Sequence, residues 1–172
     1  MPATSVLALP YPATTDPADV PADIKKLADR IEALSAAPLS YQEVTANTTI
    51  AGTTEPTATI VVASAAVTLD GSTAITVEFF APRVEPNIGV NNTVYIALFD
   101  GSTSIGNMCS IQTPAGSPGA LGMPVRLERK LTPSAGAHTY SFRAYANAGG
   151  FVYANVGGAG AYVPGFIRVR RA

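Results

Sequence analysis

The chain has one cysteine, Cys109, which excludes an intrachain disulfide and any cysteine-based zinc cage within one copy. It has one histidine, His138, which excludes a two-histidine metal site and the several-histidine sites of β-barrel metalloenzymes. Charged residues are scarce, 13% against a usual ~25%, and the net charge is -1. That balance excludes both an acidic disordered tail and a basic nucleic-acid binder. The longest apolar run, Thr57 to Leu69, spans 13 residues and is interrupted by Thr and Ser, short of the ~20 that a membrane helix needs. Met1 to Pro10 carries no positive region and no long apolar run, so it does not read as a secretory signal. A phosphate-binding loop with its lysine, a GxSxG elbow and an HExxH helix are all missing, and no cofactor is expected.

What the chain does have is Thr (18), Ser (11), Gly (15) and Pro (14), the composition of short strands joined by turns. With 172 residues, one domain of ordinary size plus an appendage is expected, and the fold class is mainly β. Residues 1–22 contain Pro2, Pro10, Pro12, Pro17 and Pro21, each removing a backbone donor and biasing its predecessor toward extended conformations. This segment is expected to be an extended arm. Its apolar Val6, Leu7, Leu9 and Tyr11 are too few for a core and suggest docking onto something larger.

From residue 21 to 37 the pattern changes to helix, with Asp23 near the positive end of the dipole and Pro38 as the stop. Ile24, Leu27, Ile31 and Leu34 fall at spacings of three, four and three, an a/d seam of two heptads. Such a stripe packs either on its own domain or on other copies of itself, and its place between an arm and a separate β region favours self-association. Ile at a with Leu at d leans by itself toward two strands rather than three.

Residues 38–172 read as β throughout. Ten strands are expected: Tyr41 to Ala46, Thr57 to Ala63, Ala65 to Leu69, Thr73 to Phe80, Thr93 to Phe99, Ser104 to Gln112, Val125 to Leu131, His138 to Ala146, Phe151 to Val156 and Phe166 to Arg170. Spacing near ten residues with turns between points to a sandwich or barrel. Val125, Leu127 and Leu131 alternate with Arg126, Glu128 and Lys130, with Arg129 the exception on the apolar face, and Ile75, Val77 and Phe79 alternate likewise, giving one core face and one wet face. The run Val94 to Phe99 is apolar on both faces, as expected of a strand covered by a second sheet on one side and another subunit on the other. Asp70-Gly71 and Asp100-Gly101 are hairpin signals, the second joining the strands on either side of it.

Candidate sites are few. Gly149-Gly150 and the cluster Gly157-Gly158-Ala159-Gly160 read as turns, since no helix follows either to present its amino end to a phosphate. The acids of the β region, Glu43, Glu55, Asp70, Glu78, Glu85, Asp100 and Glu128, sit mostly next to turns or on polar strand faces, which disfavours a glycosidase pair. His138 reads as a turn residue satisfied by its neighbours at a strand start, and Cys109 as a small core residue. After Glu128 no acid follows, while Arg129, Lys130, Arg143, Arg168, Arg170 and Arg171 give the segment a formal +6. Arg168 and Arg170 share a face of the last strand. They read as a solvated edge that blocks aggregation or, alternatively, as contacts for phosphate, sialic acid or a neighbouring subunit's carboxylates.

Leu9-Pro10-Tyr11-Pro12, Thr15-Asp16-Pro17, Asp19-Val20-Pro21-Ala22-Asp23-Ile24 and Leu27-Ala28-Asp29-Arg30-Ile31 together resemble the amino-terminal segment of fibre and minor tail proteins from tailed phages of actinobacteria. Val94 to Gly101, Thr132 to Tyr140 and Pro164 to Val169 are similar to the jelly-roll knobs of such virion proteins. The resemblance implies a homotrimer on the outside of the particle, with short helices forming a trimeric bundle. Its arm would dock on a capsid or tail protein through Leu7, Leu9 and Tyr11, and its antiparallel β-sandwich would point outward. Almost no shaft is present, which suits a short head fibre, a capsid decoration protein or a small receptor-binding knob that recognises host surface glycan through its distal loops. An enzyme is not expected.

Overall fold

The computed structural model describes residues 20–172, and the chain divides between Pro38 and Leu39 into two compact units. Most of the arm expected over residues 1–22, with Leu7, Leu9 and Tyr11, lies outside the described residues. The first unit contains helix α1 (Val20–Ala36), which carries Pro21 and Asp23 in its first turn. Ile24 is 62% and Ile31 49% exposed, with Leu27 half-buried on the same face. The side chain of Leu34 lies outside the described residues. Lys25 pairs with Asp29 at 2.7 Å and Lys26 with Asp23 at 3.6 Å, i,i+4 and i,i+3 contacts that support the polar faces.

The second unit is mainly β. Its strands are β1 (Ser40–Val44), β2 (Thr48–Ile50), β3 (Thr59–Ala63), β4 (Val67–Asp70), β5 (Ile75–Pro86), β6 (Asn92–Asp100), β7 (Thr103–Thr113), β8 (Met123–Leu131), β9 (Ala135–His138), β10 (Tyr140–Ala146), β11 (Gly150–Tyr153) and β12 (Gly165–Arg171). Two sheets face each other, one ordered β1-β12-β5 with β8 on the far edge of β5, the other β3-β10-β6-β7. Among these eight strands the chain passes from sheet to sheet at β1 to β3, β3 to β5, β5 to β6, β7 to β8, β8 to β10 and β10 to β12. That order of crossings and neighbours is the doubled Greek key of a jelly roll. Strands β11 and β2 extend the larger sheet beyond β12, and β4 pairs with β9 in a separate ribbon.

Period-two alternation puts Ile75, Val77 and Phe79 of β5, Ile167 and Val169 of β12 and Val94, Ile96 and Leu98 of β6 into the core, all without exposure. Phe79 and Phe142, from opposite sheets, stack with centroids 4.8 Å apart at 21° and join the two layers at their centre. Arg126 and Glu128 face out while Val125 faces in, as the sequence pattern predicts.

Several expectations need correction. Asp70-Gly71 makes a turn but not a hairpin. The Asp70 carboxylate accepts the backbone N–H groups of Ser72 and Thr73 at 2.8 and 2.7 Å, Gly71 takes a φ of +82°, and the chain leaves the ribbon for the larger sheet. Asp100-Gly101 does join a hairpin, β6 to β7. His138 ends β9 rather than starting the next strand, because residues 135–138 pair with β4 and not with β3 or β6. The two-faced apolar run of β6 is buried within one chain. Ala97 is fully covered and Phe99 is 3% exposed, the Arg143 guanidinium lying 4.2 Å from the centroid of the Phe99 ring, and Tyr145 stacks on Tyr95 at 4.9 Å. A second subunit is not needed to dry this strand.

Phe142→Ala removes the partner of Phe79 and opens a void between the sheets. Urea unfolding is expected to show a loss of about 3–5 kcal/mol, whereas a loss under 1 kcal/mol would mean that the layers do not meet there.

Candidate functional site

The outward-facing side of the larger sheet should be polar on one-sided patterning, yet it carries a charge cluster and a row of aromatic rings. Glu78, on β5, is 0% exposed although its side chain lies on that outer face. Arg168, directly opposite on β12, donates from Nε at 3.0 Å and Nη2 at 2.5 Å to Glu78 Oε2. Arg126 of β8 pairs with Oε1 at 2.7 Å. Glu128 stands opposite Glu78 on the other edge of β5, a like-charge pairing that costs stability, and Arg170 reaches across to Glu128 at 3.4 Å. Arg168 and Arg170 thus share a face and are met there by carboxylates of their own chain.

The rings begin beside this cluster. Tyr41 and Phe166 have centroids 5.6 Å apart, Phe166 and Phe80 5.8 Å, and Arg168 lies 5.9 Å from the Phe166 centroid. Farther along β5, past a bulge between Ala81 and Val84, Arg83 and Glu85 face outward beside β11. Alternation in β11 buries Val152 and turns Phe151 and Tyr153 to the same side. The rings of Phe151 and Tyr153 lie 5.6 Å apart, and those of Tyr153 and Tyr162 5.7 Å.

Arg83 is fixed from four directions. Its Nε donates to Glu85 Oε2 at 2.6 Å, its Nη1 donates to the Tyr162 hydroxyl at 3.1 Å, and its guanidinium lies 5.7 Å from the Tyr153 centroid. The fourth neighbour is Gly122, where a Cβ would meet the end of the Arg83 side chain and make it shift. Tyr162 and then Glu85 raise the pKa of Arg83 still further above its ordinary value. Tyr162 flanks the turn of a loop closed by Asn155 N–H to Val163 C=O and Gly157 N–H to Tyr162 C=O, in which Gly157, Gly158 and Gly160 take positive φ. The glycine cluster is therefore a turn, as expected.

The outer face of the other sheet is different. Tyr95 and Tyr145 stack nearly parallel, at 14°, and Asn107 both donates to and accepts from the Tyr145 hydroxyl at 2.9 and 3.1 Å. These groups satisfy one another.

At one end of the sandwich a pocket of about 160 Å³ is lined by Asp100, Ile105, Leu131, Thr132, Pro133 and Tyr140. The Tyr140 hydroxyl is buried without a hydrogen-bond partner, and burial followed by the nearby Asp100 charge pushes its pKa up to about 12. Beside it His138 places Nδ1 2.5 Å from Asp100 Oδ2 and Nε2 3.0 Å from the Ser134 carbonyl. Both ring nitrogens face acceptors, an arrangement that the imidazolium satisfies best, and the Asp100 hydrogen bond raises the pKa accordingly. No group of three or more potential metal ligands occurs among the described residues. No described helix is long and apolar enough to cross a membrane. Cys109 packs against the core, and burial raises its thiol pKa.

Sequence reasoning singled out Arg168 and Arg170 but not their partners Glu78 and Glu128, set Glu85 among the acids of polar strand faces, and missed Arg83, Tyr153 and Tyr162 altogether. The available signal was parity: Phe151 and Tyr153 flank Val152, so two aromatics had to face away from the core.

Two outcomes test the pocket. Because the folded-state pKa of His138 lies above 6.5, its bonding to Asp100 contributes full stability below that pH and loses it as pH rises through the folded value. Thermal melts of the wild type should therefore fall over that window, and those of His138→Gln should not. Tyr140→Phe deletes an unpartnered hydroxyl and is expected to leave stability unchanged or raised by up to about 1 kcal/mol. A loss larger than that would show that a bound water or ligand serves the hydroxyl.

No protein-family model matches the chain, and no curated protein matches it. Among solved structures, a carbohydrate-binding module of the Cellvibrio mixtus lichenase 5A, determined in complex with cellotriose, aligns at 15% identity. The alignment covers 79% of this chain and 99% of that one, with a TM-score of 0.30.

Proposed function

We propose that this chain is a non-enzymatic virion protein of a tailed phage, a short homotrimeric fibre or capsid decoration protein. Residues 1–22 would attach it to a capsid or tail protein, and the β-sandwich would project from the particle surface. The observation that carries the reading is the division after Pro38, with an amphipathic helix on one side and a β unit with its own core on the other. Ile24 and Ile31 leave apolar surface on α1 that further copies of the same helix would cover. A 17-residue helix is marginal alone, so association and helix formation would stabilise each other.

The chemistry available agrees with a structural role. His138 has both ring nitrogens engaged and therefore offers no general base. Glu78 is occupied by two arginines.

The test divides the chain at Pro38, the last residue of the first unit. Particles lacking the protein should be decorated by the full chain and not by residues 38–172, while residues 1–38 fused to an unrelated trimeric protein should attach. Sedimentation should give a trimer for the full chain, and Ile24→Asp with Ile31→Asp should weaken it by more than tenfold in dissociation constant while the β unit keeps its far-ultraviolet spectrum. Attachment by residues 38–172 as strong as that of the full chain would reverse the assigned orientation.

A further inference from the structure

We infer that the Arg83 end of the larger sheet's outer face is a binding site for neutral polysaccharide. The site belongs to the β unit and goes beyond the anchoring role, so it holds wherever the amino-terminal segment attaches. Six of the thirteen aromatic residues lie on or against this one face, which alternation would otherwise leave to polar side chains. Tyr153 and Tyr162 present two tilted rings beside a guanidinium and a carboxylate. Rings of this kind meet the C–H faces of a pyranose, and the polar pair meets its hydroxyls.

Charge selects the class of glycan. Arg83 and Glu85 neutralise each other, so the site carries no net attraction for a carboxylate or a phosphate. Together they still offer what two neighbouring sugar hydroxyls require, N–H donors on Arg83 and acceptor lone pairs on Glu85. Tyr162 already accepts from Arg83, and its own O–H remains able to donate. By contrast the arginines farther along the face are spent on Glu78 and Glu128.

The site is also held ready. Arg83 is locked by Glu85, Tyr162 and Tyr153 and admitted by the missing Cβ of Gly122, so little side-chain freedom remains to be lost on binding. Tyr162 is 37% exposed and rides on the glycine-tipped loop, which walls the site from outside the sheet as the Gly122 loop does.

Affinity electrophoresis of the full chain through gels containing dextran, mannan, galactan or arabinogalactan tests the inference, with polygalacturonate and polysialic acid as acidic controls. At least one neutral polymer is expected to retard the protein, the acidic polymers are not, and Tyr153→Ala or Tyr162→Ala should weaken retardation about tenfold. Tyr145→Ala, on the opposite sheet, should change nothing. Tyr162→Ala lies on the loop outside the core and keeps the test valid if Tyr153→Ala fails to fold, which thermal melts of both will reveal. Retardation by no neutral polymer, retardation by the acidic polymers alone, or undiminished retardation of Tyr162→Ala would overturn the inference. So would a drop in sedimentation coefficient for Tyr162→Ala, because that would show a second copy covering this face.

Discussion

The β unit is registered on one strand. Over its twelve residues β5 is paired on one edge by β12 and then β11, and on the other by β8, so its period-two pattern decides what both faces of the larger sheet can be. Ile75, Val77 and Phe79 commit one face to the core, and Phe79 fixes the distance to the second sheet through Phe142. A slip of one residue would exchange Phe79 for Glu78 in the core and leave a carboxylate against Phe142. The strength of that penalty is what holds the register of three neighbouring strands at once.

The same parity places Glu78 and Phe80 outward, where side chains of β12 and β8 close over the carboxylate. A buried ion pair is weak evidence of net stabilisation, because desolvation offsets much of the Coulomb gain. It is stronger as a constraint: with Arg168 opposite and Arg126 on the diagonal, any other register would strand at least one charge. The bulge between Ala81 and Val84 then restarts the alternation, Val84 returning to the core and Arg83 and Glu85 to the outside. One irregularity thus separates a charge cluster, ion-paired within the chain, from an aromatic and polar group at the other end of the face.

Much of the fold was legible in the sequence. Alternation in Ile75 to Phe79 and in Val125 to Leu131 located two central strands, and the Asp100-Gly101 turn located the β6–β7 hairpin. The helix was legible from the spacing of Ile24, Leu27 and Ile31 and from Pro38. What escaped was short or non-local. β2 has three residues and β9 reads AGAH, so neither carries a hydrophobic period, and both exist only because β11 and β4 offer them free edges. The apolar outer face of β6 suggested a partner subunit because sequence does not show that Arg143 and Tyr145, some 45 residues onward, fold over it. The Arg83 group escaped for the same reason: its members come from β5, β11 and two loops, and no local motif links them.

Charge shows most plainly how a linear reading and a folded one diverge. Every acid precedes residue 129, so the last 44 residues are purely cationic along the chain and read as a surface seeking an anion. The jelly roll interleaves early and late strands, β12 lying between β1 and β5, and so delivers late basic side chains to earlier carboxylates: Arg168 to Glu78, Arg170 to Glu128, His138 to Asp100. For Arg168 and Arg170, the two arginines that suggested an external anion, sequence segregation of charge is converted by topology into local pairing. At the open end of the face Arg83 and Glu85 balance each other's charge, which is why that end is suited to hydroxyls rather than to acids.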